Sequence, residues 1–307
     1  MIFRKIKTLI LHPYLLVDRI IAPLYYYFLS ENNLNNLLST WQRPLSRNGI
    51  TSFFFEVVFN QWINKVYLKE TNPDRRETLK DICMGGDGGA KWAQIYESRP
   101  VVSSSYGDVD FDVAFPWLKS SCAIIEKSPQ NSIFIQLGCS SGREVGLLAQ
   151  QFPERQFIGS DIDDVIIQQA QKNHPRKNLT FKVERAHKIG NDIPDDIPLI
   201  VLGEGSLQYV QPEHLNEMFT NLSNRKNITV ILQEPYSLLG MVIDNNDNSR
   251  WRGNFSYSHE YRNYAENAGF KIIDYQLVQP FTHSDSPHYH TRHYFLVCDN
   301  SRITKKI

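Results

Sequence analysis

The residues able to do chemistry gather at a few places along the chain. Gln136, Gly138, Ser140 and Gly142 stand at alternate positions of one short stretch, and Asp161 follows 19 residues after Gly142. Small residues let backbone N–H groups approach a ligand closely. A carboxylate has two oxygens with which to accept from a pair of hydroxyls. Glu204 and Tyr209 border a second turn that holds Gly203 and Gly205. Histidines gather late, at His259, His283, His288, His290 and His293. Histidine is the side chain that exchanges a proton most readily near neutral pH, so His259 is a candidate general base. His288-x-His290-x-x-His293 has donor types that suit a metal, but the spacing matches no established ligand set, and no metal is expected.

Elements must hold these groups in place. Residues 133–137 read as a buried strand, 143–152 as a helix through Val145, Leu147, Leu148 and Phe152, and 156–161 as a second strand. Strand, small-residue turn, helix, strand and acid form an arrangement that holds an adenosine. A dinucleotide fingerprint would set glycines at 138, 140 and 143, where Ser140 and Arg143 stand. That disfavours an NAD-dependent oxidoreductase. A P-loop would need Gly-Lys-Ser/Thr, which is absent. Further strands are expected over 179–184, 199–202, 228–233, 270–277 and 293–298, with helices over 165–173, 212–223 and 259–268. Asp164 is the expected cap of the helix at 165 and Gly269 the end of the last one. Alternating strands and helices imply an α/β fold with a doubly wound, mostly parallel sheet, closed by an antiparallel hairpin.

Gln136-x-Gly138-x-Ser140-x-Gly142 resembles motif I of the class I S-adenosylmethionine-dependent methyltransferases. Gln136 replaces the family's acid and Ser140 its middle glycine; Ser140 fits the turn if its φ stays negative. Glu204-Gly205-Ser206-Leu207-Gln208-Tyr209 resembles the family's post-strand-four motif, in the form found in several O-methyltransferases. The resemblance implies a seven-stranded, Rossmann-like methyltransferase domain over 111–307, behind a helical cap or lid over 1–110. It implies S-adenosylmethionine as cofactor, with Asp161 on the ribose hydroxyls and the 136–142 turn on the amino-acid part. Ile162, Arg185 and Ala186 would border the adenine, with Glu204 beside the methyl. Tyr96, in Lys91-Trp92-Ala93-Gln94-Ile95-Tyr96, would close over the cofactor. Glu204, Tyr209 and His259 are the catalytic candidates, and Glu234-Pro235-Tyr236 should face the substrate. The expected activity is methyl transfer to a small molecule at oxygen, as in small-molecule biosynthesis. The alternatives are a nitrogen or peptide acceptor, and a non-catalytic, partner-binding module of the same fold.

Composition bounds the rest. The 307 residues include 33 Lys and Arg against 33 Asp and Glu, a formal net charge of zero. Nothing here marks a nucleic-acid binder, which would carry a basic excess. Four widely spaced cysteines form no CxxC pair, so a reduced, cytoplasmic setting is the default. Residues 1–30 mix basic and apolar residues without a run of roughly 20 apolar residues. They are read as a helix packed on its own domain or on a second subunit of a homodimer, or as a membrane-surface helix. Asn72-Pro73 marks a helix start, 51–69 has helical spacing, and Gly85–Gly89 reads as a hinge or a ligand-facing loop.

Overall fold

The computed structural model describes residues 67–84, 116–237, 241–244, 246–253, 255–278 and 292–300. The chain divides into two compact units: residues 1–89 with 253–255, and residues 90–252 with 256–307. In the first unit, helix α1 (Pro73–Met84) starts where the sequence indicates. Asn72 Oδ1 accepts from the backbone N–H groups of Asp74 and Arg75, at 2.9 and 3.2 Å. Pro73, which has no N–H to satisfy, occupies the first helical position. Tyr67 meets Phe255 edge to face at 5.1 Å.

The second unit is built on a seven-stranded sheet. Its elements are α2 (Pro116–Lys127), β1 (Ile133–Leu137), α3 (Arg143–Gln151), β2 (Gln156–Asp161), α4 (Asp164–Asn173) and β3 (Leu179–Val183). They continue with β4 (Leu199–Glu204), α5 (Pro212–Ser223), β5 (Ile228–Tyr236), β6 (Met241–Val242), β7 (Ser249–Gly253) and β8 (Ser256–His259). The chain then forms α6 (Tyr261–Asn267), β9 (Lys271–Val278) and β10 (Arg292–Asp299). The strand order is β3-β2-β1-β4-β5-β10-β9. The first five strands are parallel, and β10 runs antiparallel to both β5 and β9. This is the doubly wound, seven-stranded plan expected from the sequence, with the antiparallel ending.

Both faces of the sheet are covered, which is why β1 and β4 read as almost continuous apolar runs. On one face Ile135, Val201, Val230 and Leu296 meet Leu215, Met218, Phe219 and Leu222 of α5. On the other, Phe134, Ile200, Leu202 and Ile231 meet Val145, Leu148 and Ala149 of α3. Burying each large side chain contributes about 1.5–3 kcal/mol. Polar clamps close the edges. Asn178 Nδ2 donates to the carbonyls of Ala149, Phe152 and Arg155. The Arg225 guanidinium donates to those of Gly190, Ile193 and Pro194.

Three local expectations change. The cap of α4 is Asp163, whose Oδ1 accepts from Val165 and Ile166. Asp163 is extended while Asp164 is already helical, and only an extended residue can turn its carboxylate back onto the helix start. The helix expected from His259 begins at Tyr261. Ser256-Tyr257-Ser258-His259 alternates polar and aromatic residues and forms β8, in a small sheet of order β6-β7-β8. β5 runs on to Tyr236, beyond the expected 233. The helices expected before residue 66, the Gly85–Gly89 run, the 91–96 segment and residues 279–291 lie outside the described residues.

Candidate active site

Strand order reverses at β1, which has β2 on one side and β4 on the other. A crevice opens at the carboxyl ends of such strands. Here those ends carry Gly138, Asp161 and Glu204, with Glu234 near the end of β5.

The turn after β1 depends on left-handed backbone. Gly138, Ser140 and Gly142 have φ of 59°, 49° and 80°. The positive φ at Ser140 corrects the expectation that it stays negative. In this turn the Ser140 N–H donates to Asp161 Oδ2 at 3.1 Å. The left-handed region costs a residue with a Cβ about 1–2 kcal/mol. Ser140→Gly is therefore expected to stabilise the domain by up to about 1 kcal/mol, after the extra entropy glycine gives the unfolded chain. Urea unfolding reads this directly, and a loss of stability would mean that the serine side chain holds the turn. A Cβ on Gly138 would lie 2.3 Å from Ser206 Cβ, and one on Gly142 would lie 2.7 Å from the Phe181 ring. Cys139 is buried between them, and burial pushes its thiol well above the usual range. It is packing, not a nucleophile.

Gln136 is buried in β1. Its Nε2 donates to Glu144 Oε2 at 2.6 Å. Its Oε1 is buried and meets no hydrogen-bond partner among the described residues. Glu144, also buried, stands in the first turn of α3. By fixing the amide nitrogen, Glu144 decides which way Gln136 presents its oxygen. The Asp161 carboxylate accepts from the N–H groups of Ser140 and Asp163, the latter at 3.3 Å. Burial raises its pKa above the ordinary value, against the pull of those donors. Ile162 beside it is exposed. After β3, Glu184 pairs with Lys182 at 2.9 Å, and Lys182 also reaches Asp192. Arg185 and Ala186 open a short 3-10 turn over 186–188 and are half-buried.

The turn after β4 is braced from beneath. Glu204 is half-buried at the strand end, and Gly205 follows with φ 62°. Ser206 Oγ donates to Leu137 O at 3.1 Å, tying this turn to the end of β1. Leu207–Tyr209 forms a 3-10 turn. Glu234 accepts from the N–H groups of Ser206, Leu207 and Gln208, at 3.2, 3.0 and 3.3 Å. Glu234 is fully buried, and burial pushes its pKa up to about 8, opposed by the three donors. The expectation that it faces a substrate is corrected, since its carboxylate turns under the loop. β5 alternates faces, which puts Glu234 on the same side as Leu232 and Tyr236, all three in the interior. Tyr236 O–H bonds Glu260. Gln208 is held by Gly205 O and by Arg252.

His259 is fully buried at the end of β8. Nδ1 meets Ser249 Oγ at 2.7 Å and Nε2 meets Val210 O at 3.0 Å. Burial lowers its pKa to about 3, so the ring is neutral across the physiological range. The structure thus brings Gln136, Gly138, Ser140, Gly142, Asp161, Arg185, Ala186, Glu204 and Tyr209 to the carboxyl edge of the sheet. His259 meets that edge at the backbone of the turn after β4, through the Val210 carbonyl. Tyr96, His283, His288 and His290 lie outside the described residues, as does the side chain of His293. Sequence reasoning missed two partnerships, Gln136 with Glu144 and Glu234 with the 206–208 turn. For Glu234 the available signal was an acid soon after the apolar run Val230-Ile231-Leu232.

Residues 134–225 match a protein family described as a methyltransferase domain. No curated protein matches the chain in sequence. Among solved structures, the chain is similar in fold to a Galdieria sulphuraria protein assigned as a sarcosine dimethylglycine methyltransferase. The two share 10% identity with a TM-score of 0.51, over 70% of this chain and 99% of that one. It also aligns with the magnesium protoporphyrin IX methyltransferase of Synechocystis PCC 6803 with bound S-adenosylhomocysteine. There the identity is 17% and the TM-score 0.49, over 72% of this chain and 98% of the other.

Proposed function

We propose that the chain, whose residues 134–225 match a methyltransferase domain, is a class I S-adenosylmethionine-dependent methyltransferase that methylates a small molecule, at an oxygen atom. The observation that carries this reading is the pairing of the left-handed 138–142 turn with the Asp161 carboxylate and the Glu204–Tyr209 turn, at adjacent strand ends. The residues fit the cofactor. Gln136 Oε1 is a buried acceptor still to be satisfied, and it suits the ammonium of a methionine. The glycines stand where any Cβ would collide. Asp161 would take the ribose hydroxyls, while Ile162, Arg185 and Ala186 border the adenine.

The cofactor, when bound, supplies a methyl group already activated on a sulfonium. The protein's own task is alignment and, for a hydroxyl acceptor, removal of a proton. Glu204 and Tyr209 are the groups we assign to it. His259 instead holds the loop at Val210, because a fully buried ring with both nitrogens bonded is poorly placed to take an acceptor's proton. Residues 1–110, with Tyr96, would form the lid that excludes water and shapes the acceptor pocket. Residues 1–30 would pack on their own domain, on a second subunit or on a membrane surface. No helix among the described residues is long and apolar enough to cross a membrane. Buried, unpaired Cys122, Cys139 and Cys298 fit a reducing cytoplasm.

Calorimetry with S-adenosylmethionine tests the reading. Asp161→Ala is expected to weaken binding by about 1.5–3 kcal/mol, through the loss of charge-assisted hydrogen bonds. An unchanged affinity would move the ribose contact elsewhere. Absence of binding to the full chain at millimolar cofactor would favour the non-catalytic reading. Nitrogen and peptide acceptors are distinguished by offering them to the enzyme in turn.

A further inference from the structure

A second cluster of chemistry lies where the turn after β3 packs on α5, next in sequence to Arg185 and Ala186. His187 sits in the 186–188 turn, and His214 and Glu217 are three residues apart on α5. That spacing puts both α5 side chains on one face of the helix. One ligand atom from each of the three lies within 4.8 Å of the other two. The two imidazoles are stacked, with centroids 4.3 Å apart and planes inclined by 27°. Both histidines are buried, while Glu217 is exposed. The turn is fastened to the helix independently, because Asn221 Nδ2 donates to His187 O at 3.0 Å.

We propose that His187, His214 and Glu217 form a site for a divalent transition-metal ion, zinc by the chemistry of its donors. Two imidazoles and a carboxylate are a ligand set that zinc accepts, with bonds of about 2.0–2.2 Å. Tetrahedral bonds of that length set ligand atoms roughly 3.3–3.6 Å apart, so binding an ion would draw the three donors together and turn the stacked rings until their nitrogens converge. Water completes the fourth position on the exposed Glu217 side. The metal requires neutral imidazole. The Asn221 bond serves as the outer support that fixes how the His187 segment faces the ion. A bound ion would staple the turn that carries Arg185 and Ala186 to α5.

The test uses chelator-treated full-length protein. Zinc affinity is read by competition with a chromophoric chelator, and coordination by the visible absorption of added cobalt(II). One equivalent should bind, with the intense cobalt bands of a tetrahedral site. His187→Asn and Glu217→Gln should each weaken zinc by at least the 10- to 100-fold that even outer-shell partners carry, and should remove the cobalt bands. Glu217 is exposed, so its variant keeps the fold, which circular dichroism checks. The proposal is overturned if the unaltered protein binds no zinc. It is equally overturned if both variants bind as tightly as the parent, since the ion would then belong to other histidines, such as those at 283–293. Cofactor binding takes no part in either readout, so the result stands apart from the proposed methyl transfer.

Discussion

Gly138→Ala is expected to destabilise the sheet domain by about 2–5 kcal/mol and to abolish cofactor binding. Two costs combine. The new Cβ would meet Ser206 Cβ at 2.3 Å, and overpacking of that kind costs about 1–3 kcal/mol. The φ of 59° adds about 1–2 kcal/mol for any residue with a Cβ. The clash cannot be relieved by swinging a flexible side chain, because the opposing atom is bonded directly to the backbone. Relief requires the 206–208 turn to lift, which would break the Ser206 bond to Leu137 O and loosen the three N–H bonds to Glu234. Ser206→Gly in the same chain removes the opposing Cβ and should recover the overpacking part while leaving the φ part. Urea unfolding of the single and double variants separates the two. A single variant within 0.5 kcal/mol of the parent would show that the two turns move apart freely.

The second large effect is at Glu234. Glu234→Ala should cost about 3–4 kcal/mol, because it leaves three N–H groups buried with no acceptor. Glu234→Gln should cost less and change the pH dependence. Burial sets the folded pKa at about 8 against an ordinary value of 4.5. The folded chain therefore keeps a proton that the unfolded chain releases first. This contribution is complete below about pH 4.5 and is lost as pH rises towards 8, by at most about 1.4 kcal/mol per pH unit. Unfolding midpoints at pH 5 and pH 8 should draw apart in the parent and close up in Glu234→Gln, which cannot ionise. Equal spacing in both chains would assign the slope to other groups. If the parent showed no slope, the three N–H donors would outweigh desolvation and Glu234 would be ionised when folded.

What could be read from the sequence, and what could not, divides along physical lines. Leu199-Ile200-Val201-Leu202 announces a strand covered on both faces, and it is wholly buried. Asn72-Pro73 announces a helix start because both the cap and the missing N–H are local properties. The parallel order and antiparallel closure followed from such elements in sequence. The site was legible as positions but not as partnerships. Nothing local says that Gln136 gives its amide to Glu144, or that Glu234 turns beneath residues 206–208. Those bonds join residues that are adjacent only in the folded chain. The positive φ of Ser140 is likewise a property of the folded turn, where its N–H meets Asp161, a residue 21 positions away in sequence. The strands β6–β8 are short, and the residues that join them are rich in Asn and Asp, so no strand pattern stands out in the sequence.

The sheet order carries a consequence for how the chain is made. β10 fills the place between β5 and β9, although it is the last described strand to leave the ribosome. Until residues 292–299 emerge, β9 has no neighbour in the sheet and β5 shows one whole edge of unpaired N–H and C=O groups. Such an edge is a template for pairing with another chain. Crowded synthesis is therefore the moment at which this protein is most exposed to aggregation, and a chaperone that shields β5 during translation would matter more than one that acts on the finished fold.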